Sequence, residues 1–454
     1  MAEEKLNGTA AAAAVSASEM EQLHASKEPT VVEGPIKDAN VRFVCIGMGQ
    51  GGTNIMSELA AILPHKPFQI AINTSTQDLD QVNLPDNQKF VIGGVHADGA
   101  GQNRNRAKAY YKDYSAENLE NKGQAYNVIQ SFIALYEEVL FHPTVQTIIL
   151  VSFTSDGGSG SGLGPMFVTN LTNYINSAKS FVYGGKEFQI DDLTNSVPRP
   201  VVCGLVPKCE INKGLPSLLN TIDCFNEIQQ AVMRLNVGSY FIADNNLNGI
   251  EYKTTEEKYN IINARIAIPL LKFLGIEMNS SVKCMDLQDK INTLRISGCN
   301  SFVSLETEQN LFQYVAPKGQ TVSRVIPMLK YEPGEAGEKR EADADKLIKQ
   351  LNITSMDTKS VFFDVGKSSM ESVSPVAKTL IETSMIGFFG FKDLSTVVED
   401  LRERAQRLKA EADQKAKVVQ QNASGFSSLN EDKADFADRY GQSVASQEEI
   451  DSLF

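Results

Sequence analysis

The sequence predicts an α/β protein: a doubly wound parallel-sheet domain, a long central helix, a second α/β domain, and a carboxy-terminal helix followed by an acidic tail. Three observations predict it. From Val41 onward, short apolar runs each end in Gly, Asn, Ser or Asp and give way to a longer helical pattern, the rhythm of parallel βαβ units. Glycine-rich loops follow the first and the fourth of those runs. A helical pattern then spans Thr254 to Gly275 without a turn signal, and beyond it the rhythm becomes mixed through about Gly390.

Taken in order, residues 1–38 are rich in Ala, Ser, Glu and Thr and read as a mobile extension. The expected strands are Val41–Ile46, Gln69–Asn73, Lys89–Gly93, Thr147–Phe153, Pro200–Val206 and Ser239–Ala243. Residues 332–346 combine Pro, Gly and a dense charge run, which reads as a solvated loop. Leu394, Val397, Val398, Leu401, Ala405 and Leu408 fall at helical spacing and predict a helix from Leu394 to about Val419. After Gly425, seven acids stand against two bases, with Phe436, Tyr440, Leu453 and Phe454 among them, the pattern of a disordered tail or of an interaction arm. The expected division is therefore 1–38 extension, 39–253 parallel-sheet domain, 254–279 central helix, 280–391 second domain, 392–424 carboxy-terminal helix and 425–454 tail.

Composition excludes several classes. With 454 residues and 42% hydrophobic content, the chain can bury a sizeable core in more than one domain. A net charge of −13 argues against coating nucleic acid or anionic lipid. Cys45, Cys203, Cys209, Cys224, Cys284 and Cys299 are scattered without CxxC or a Cys/His cluster, which suits small core residues in a reducing cytosol. No run approaches the roughly 18–20 apolar residues of a membrane span, and Glu3 and Glu4 stand where a signal peptide would be basic. The expectation is a cytoplasmic protein that binds neither membrane nor nucleic acid directly.

The first loop reads Gly47-Met48-Gly49-Gln50-Gly51-Gly52-Thr53-Asn54, and the second Thr154-Ser155-Asp156-Gly157-Gly158-Ser159-Gly160-Ser161-Gly162-Leu163-Gly164-Pro165. Strand-to-helix turns this rich in glycine let backbone N–H groups and a helix amino terminus approach a phosphate without Cβ obstruction. A GxGxGG loop after a first strand also marks dinucleotide folds, but the second strand here ends Ala71-Ile72-Asn73-Thr74, without the acid that would clamp a ribose. No GxxxxGK[ST] sequence occurs, which excludes a Walker-type site.

GMGQGGTN, AINTSTQDL, GAGQNRN and DGGSGSGLGP, in that order, resemble the nucleotide loops of the tubulin/FtsZ superfamily, and of its bacterial and phage branch (TubZ and PhuZ) in particular. The likeness spans about residues 41–390; Asp156 stands where the family signature begins with Gly, and Ser replaces its Thr. The resemblance implies a GTP- and GDP-binding protein of the bacterial cytoplasm, phage- or plasmid-borne genes included, with Mg2+ held mainly by the nucleotide and by no direct protein ligand. It implies that Gly49, Gln50, Gly51 and Gly52 form the first phosphate loop, with Asn54 beside it. Asn73, Thr74, Gly99, Ala100, Gly101, Gln102 and Asn103 then approach the β- and γ-phosphates, and Gly157, Gly158, Ser159, Gly160, Ser161 and Gly162 form the signature loop. Glu210 falls to the ribose, Tyr259 stacks on the base, and Asn263 and Asn245 read it. Tyr259 and Asn263 stand at i, i+4 on one helix face, as this role requires.

The glycine loops hold no base for an attacking water. Cys284-Met285-Asp286-Leu287-Gln288-Asp289-Lys290 resembles the family's synergy loop, which inserts into the nucleotide pocket of the next subunit. By that resemblance Asp286 and Asp289 activate or orient water in a head-to-tail homopolymer that hydrolyses GTP between subunits. The same two acids also suit a helix start, where they favour the macrodipole. The cargo would be phage or plasmid DNA, reached through an adaptor at the acidic tail. Two other readings fit parts of the sequence: an NAD(P)-dependent oxidoreductase, and a non-catalytic filament protein of the same fold.

Overall fold

The computed structural model describes residues 41–63, 66–93, 98–114, 116–117, 125–190, 197–246, 252–275, 280–283, 285–305, 317–331, 334–364 and 382–424. The expected amino-terminal extension, the acidic tail and Cys284 lie outside the described residues.

The first half runs β1 (Val41–Met48), α1 (Gly49–Ile62), β2 (Phe68–Asn73), α2 (Thr76–Asp80), β3 (Lys89–Val91), α3 (Arg104–Lys112), β4 (Ala116–Glu117), β5 (Ala125–Tyr126) and α4 (Val128–Leu140). It continues through β6 (Gln146–Phe153), α5 (Ser159–Ser177), the hairpin β7 (Ser180–Tyr183) and β8 (Lys186–Gln189), β9 (Val201–Lys208), α6 (Leu215–Gln230) and β10 (Ser239–Asp244). The central helix is α7 (Thr255–Leu274). Beyond it come β11 (Ser280–Lys283), α8 (Leu287–Leu294), β12 (Gly298–Ser304), β13 (Thr321–Lys330), α9 (Glu335–Gln350), β14 (Thr354–Thr358), β15 (Val361–Asp364), β16 (Met385–Phe391) and α10 (Glu399–Ser424).

Twelve of these strands form one sheet, in the order β11-β15-β13-β16-β12-β10-β9-β6-β1-β2-β3 with β14 beside β13. All six strands expected from the sequence are present and lie side by side in parallel, from β3 to β10. The sheet does not stop there, because β12 joins β10 in parallel and β16 then pairs antiparallel with β12 and β13. Side chains alternate along each central strand, so both faces are covered. Phe43 and Cys45 of β1 face a core with α1, α7 and α8, whereas Val44, Ile46 and Met48 face one with α3, α4, α5, α6, α9 and α10. Every residue of β6 and β9 is buried.

Cys45, Cys203, Cys209, Cys224 and Cys299 are free and buried, as small core residues are. Burial pushes the Cys45, Cys203, Cys209 and Cys224 thiols up to about 12, which keeps them protonated and unreactive. Among the described residues no helix is long and apolar enough to cross a membrane.

Two expectations are corrected. The charge run expected to be a loop is helical instead, because Glu335–Gln350 is helix α9. Its Ala and Leu content favours helix, Glu335 and Glu338 suit the amino-terminal end and Lys349 the carboxy-terminal end, and Ala344 is buried with Leu347 and Ile348 packed behind it. The charge run is the wet face of that helix. The last helix begins at Glu399 and not at Leu394: residues 394–398 form a turn that buries Leu394, Val397 and Val398 before the chain becomes helical.

The central helix follows its sequence signals closely. Thr254 caps it by accepting from the Glu257 N–H at 3.1 Å, and Gly275 ends it at φ 74°, a left-handed value that costs glycine little.

Helix α5 lies so close to β6 that a Cβ at Gly164 would sit 2.4 Å from the Phe153 ring. Gly164→Ala should therefore overpack the core, cost about 1–3 kcal/mol and lower the thermal unfolding midpoint by several degrees. An unchanged midpoint would mean that α5 can retreat from the sheet.

Candidate functional site

At the carboxyl ends of β1, β3 and β6, three loops interlock. Gly49 takes φ 68°, and a Cβ there would meet the Gly160 N at 3.0 Å. At Gly51 the obstacle is the Thr154 side chain at 2.4 Å, at Gly52 the Ser152 carbonyl at 2.3 Å, and at Gly158 the Gly101 carbonyl at 2.1 Å. At Gly49, Gly52 and Gly158 the approach is therefore backbone to backbone, which only glycine allows. Gly101, at φ 58°, has nothing within 4 Å of its Cβ position, so the loop stays open on that side.

Polar contacts complete the junction. Thr74 and Ser159 share a hydrogen bond of 2.7 Å between their hydroxyls, which joins the end of β2 to the start of α5. The Ser152 hydroxyl donates to the Gly52 carbonyl at 2.8 Å, and the Ser155 hydroxyl to the Pro207 carbonyl at 2.6 Å. The Asn73 carboxamide oxygen accepts from the Thr74 N–H at 2.7 Å, so the side chain at the end of β2 shapes its own turn. Asn103 caps α3 by accepting from the N–H groups of Asn105 and Arg106. Next to it, Asp98 is held below the usual carboxylate range by hydrogen bonds from Arg106 and Tyr110.

Asn54 is exposed on the second turn of α1, and Gln102 is exposed in its loop. Glu210, one residue past buried Cys209, is held in an ion pair by Lys258 of α7, whose Nζ donates to both carboxylate oxygens at 2.7 and 2.8 Å. Burial pulls the Lys258 ammonium down, but the Glu210 hydrogen bond and charge outweigh it, and the net shift is upward. One residue on, Tyr259 is half exposed, and four further on Asn263 is buried at 8%. The turn after β10 packs on the same helix, where Arg265 donates to the Asn246 carbonyl at 2.9 Å. Within that turn the Asn245 carboxamide oxygen is buried and has no hydrogen-bond partner among the described residues. A buried acceptor left in this state costs about 1–3 kcal/mol, which a ligand donor would recover.

A glycine cradle, paired hydroxyls and an orphaned carboxamide thus suit a ligand with a polyphosphate at one end and a hydrogen-bonding ring at the other. Among the described residues no group of three or more His, Cys, Asp or Glu is placed to hold a metal ion.

Asp286 and Asp289 lie elsewhere. Asp286 is exposed and caps α8, its Oδ1 accepting from the Asp289 N–H at 2.7 Å. Asp289 is paired with Lys359, and that hydrogen bond holds its carboxyl below the usual range. The carboxyl end of α8 reaches the start of β9, where Arg295 donates to the Arg199 carbonyl at 2.7 Å. The glycine loops sit at the other ends of the strands, separated by the length of α7: 20 residues, about 30 Å at 1.5 Å per residue. Within one chain the two acids and the glycine loops do not meet.

Sequence reasoning missed Asn220, Arg104, Lys213 and Lys258. Asn220 Nδ2 reaches the carbonyls of Gln102 and Gly157, Arg104 pairs with Glu227, and Lys213 stands 3.6 Å from Asp156. All four lie on helices or turns with no pattern of their own; only the Asn103-Arg104 junction, next to a glycine loop, was a signal.

No protein-family profile matches the sequence, and no curated protein matches it. Solved structures do match in fold. The GTPγS-form protofilament of Bacillus thuringiensis serovar israelensis TubZ superposes with a TM-score of 0.56 at 14% identity, covering 87% of this chain and 98% of that one. Clostridium botulinum phage c-st TubZ gives 0.54 at 15%, covering 82% and 99%. The GTPγS-bound protofilament of CetZ2 from Haloferax volcanii gives 0.53 at 17%, also covering 82% and 99%. The chain therefore has the fold of the tubulin/FtsZ superfamily.

Proposed function

We propose that this protein binds and hydrolyses GTP and polymerises head to tail into dynamic filaments that position or segregate phage or plasmid DNA. The observation that carries the reading is the interlocking of three glycine loops at the carboxyl ends of the parallel strands β1, β3 and β6. Solved relatives in fold include GTPγS-form and GDP-form protofilaments of TubZ, which is the kind of assembly proposed here. The cargo rests on the resemblance of the glycine loops to the bacterial and phage branch of the superfamily. We divide the chain as 39–253 GTP-binding domain, 254–279 central helix, 280–391 activation domain and 392–424 carboxy-terminal helix, with 425–454 as the arm for an adaptor.

In this reading, the loops Gly49 to Gly52, Gly99 to Asn103 and Gly157 to Gly162 receive the phosphates through backbone N–H groups at the amino termini of α1 and α5, while the N–H groups of Gly99, Asn103 and Gly162 bond carbonyls of the chain and hold the loops in shape. Thr74 and Ser159 add hydroxyls. Magnesium carried by the triphosphate supplies the remaining positive charge. Glu210 meets the ribose while sharing Lys258, Tyr259 stacks on guanine, and Asn263 and Asn245 hydrogen-bond its edge. Asp286 and Asp289 act on the nucleotide of the next subunit, which accounts for their place at the far end of α7. The strand order alone favours an oxidoreductase reading; against it, β2 ends in Asn73, whose carboxamide is committed to the chain turn and supplies no acid for a ribose.

Incubating the protein with GTP, a slowly hydrolysed analogue or NAD, with light scattering and phosphate release as readouts, separates the readings. GTP-dependent scattering with phosphate release is expected; scattering without release would leave a non-catalytic filament, and NAD binding alone an oxidoreductase. GTP should outcompete ATP in titrations, and Asn263→Asp should weaken GTP by roughly 5- to 150-fold, the cost of about 1–3 kcal/mol for an unmatched buried group. Equal affinity for both nucleotides would refute the guanine assignment.

Catalysis between subunits needs a variant that spares the helix cap. Asp286→Ser keeps a capping oxygen and removes the carboxylate, so α8 should persist while GTP turnover falls by about 10²-fold or more. Turnover per molecule in the parent protein should also rise with protein concentration. If it is flat, or if Asp286→Ser and Asp289→Ala both turn over normally, hydrolysis does not use these acids.

A further inference from the structure

Helix α6 carries Asn220, Asp223 and Glu227 at i, i+3 and i+7, so the three side chains share one face. That face looks onto the loops of the candidate site. Asn220, 8% exposed, donates its Nδ2 to the Gln102 carbonyl at 2.8 Å and to the carbonyls of Asp156 and Gly157 at 3.3 Å each. One carboxamide thus gathers the loop after β3 and the signature loop.

Two turns on, Glu227 grips Arg104, with Nη1 to Oε1 at 3.1 Å and Nη2 to Oε2 at 2.8 Å, and Asp223 stands 3.5 Å from Nη1. Arg104 is 4% exposed, and its Nη2 also donates to the Ser161 carbonyl at 3.1 Å. It directly follows Asn103 in the chain, and a Cβ at Gly162 would fall 2.5 Å from its carbonyl oxygen. Both loops are therefore fastened to α6 twice, once through Asn220 and once through Arg104.

The peptide plane turns this fastening into function. A trans peptide points its C=O and the following N–H in opposite directions. Anchoring the carbonyls of Asp156 and Gly157 toward α6 therefore aims the N–H groups of Gly157 and Gly158 away from it. An anion cradle depends on N–H groups that are already aimed before the ligand arrives.

We propose that Asn220 and the Arg104–Glu227 pair are positioning residues for the phosphate site, and that helix α6 sets the spacing and aim of its two loops. This rests on the reading of those loops as a phosphate site. Asn220 touches no nucleotide in this scheme; it acts through the signature loop. Asn220→Asp keeps the shape of the side chain but turns its donor into a carboxylate facing three carbonyl oxygens.

Hydrogen exchange on the full chain without nucleotide tests the positioning directly. In Asn220→Ala and Asn220→Asp, amides of 99–103 and 156–162 should exchange about tenfold faster, while those of β1 and β2 keep their rates. GTP should then bind about tenfold more weakly, with KM rising more than kcat falls. Glu227→Gln, which retains a hydrogen bond to Arg104 and loses the charge, should loosen the same loops to a smaller degree. Unchanged loop exchange in both Asn220 variants would overturn the proposal, as would a rise spread evenly over β1, β2 and the loops. If the loops loosen as expected but the parent protein binds no GTP, α6 still positions the loops and the nucleotide reading falls instead.

Discussion

The site is organised by one steric condition: three loops from different strands approach one another with no room for a side chain between them. A Cβ at Gly158 would overlap the Gly101 carbonyl, and one at Gly52 the Ser152 carbonyl. Glycine in these turns is costly for the unfolded chain to order, by roughly 0.5–1 kcal/mol each relative to Ala. The fully buried strands β6 and β9, with β1 buried from Phe43 onward, lie behind the loops and offset that cost by fixing where each loop begins. The sheet and the loops are thus parts of one arrangement, in which apolar burial supplies rigidity and glycine supplies close approach.

The same sheet carries the rest of the molecule. Parallel pairing of β10 with β12 hands the sheet over to the antiparallel strands β16 and β13, so the second half grows from the edge of the first. Helix α7 packs on one face across that junction. Buried Lys272 on α7 lies over the Phe363 ring with Nζ 3.6 Å from its centroid, and also bonds the Thr383 carbonyl. On the other face, α10 is fixed to α6 and to β9: Arg402 donates to the Asn226 carboxamide at 3.2 Å, and Lys208 grips Asp400 at 2.8 and 2.9 Å. Helix α6 therefore stands between the last helix and the glycine loops, touching both.

The fold was largely legible in the sequence because its signals are local. Six apolar strands, each closed by a turn residue, need only a reading of apolar runs, and Thr254 and Gly275 mark the ends of α7 by their own chemistry. Residues 335–350 misled because a helix with one narrow buried stripe at Ala344, Leu347 and Ile348 shows mostly charge. The turn at 394–398 misled in the opposite way, since Leu394, Val397 and Val398 keep helical spacing while the backbone does not. Of the candidate site, the glycines could be read because their type alone reports close approach. Asn220, Lys213 and Lys258 could not, for an isolated polar residue gains its meaning only from the carbonyl or carboxylate that the fold sets opposite it.

In the proposed function, Asp286 would carry a structural role and a chemical one on the same atoms. Its Oδ1 holds the Asp289 N–H and so caps α8, which fixes the side-chain rotamer and leaves the exposed carboxylate in a defined direction. Asp289 commits its charge to Lys359 and keeps only a structural part within this chain. A carboxylate that must act on a neighbour's nucleotide needs a fixed aim before the neighbour arrives, because ordering it at contact would cost about 0.5–1.5 kcal/mol for that side chain. The cap provides that aim in advance. Helix start and hydrolytic group are therefore compatible descriptions of Asp286, and they are separated by removing its charge while keeping its capping oxygen.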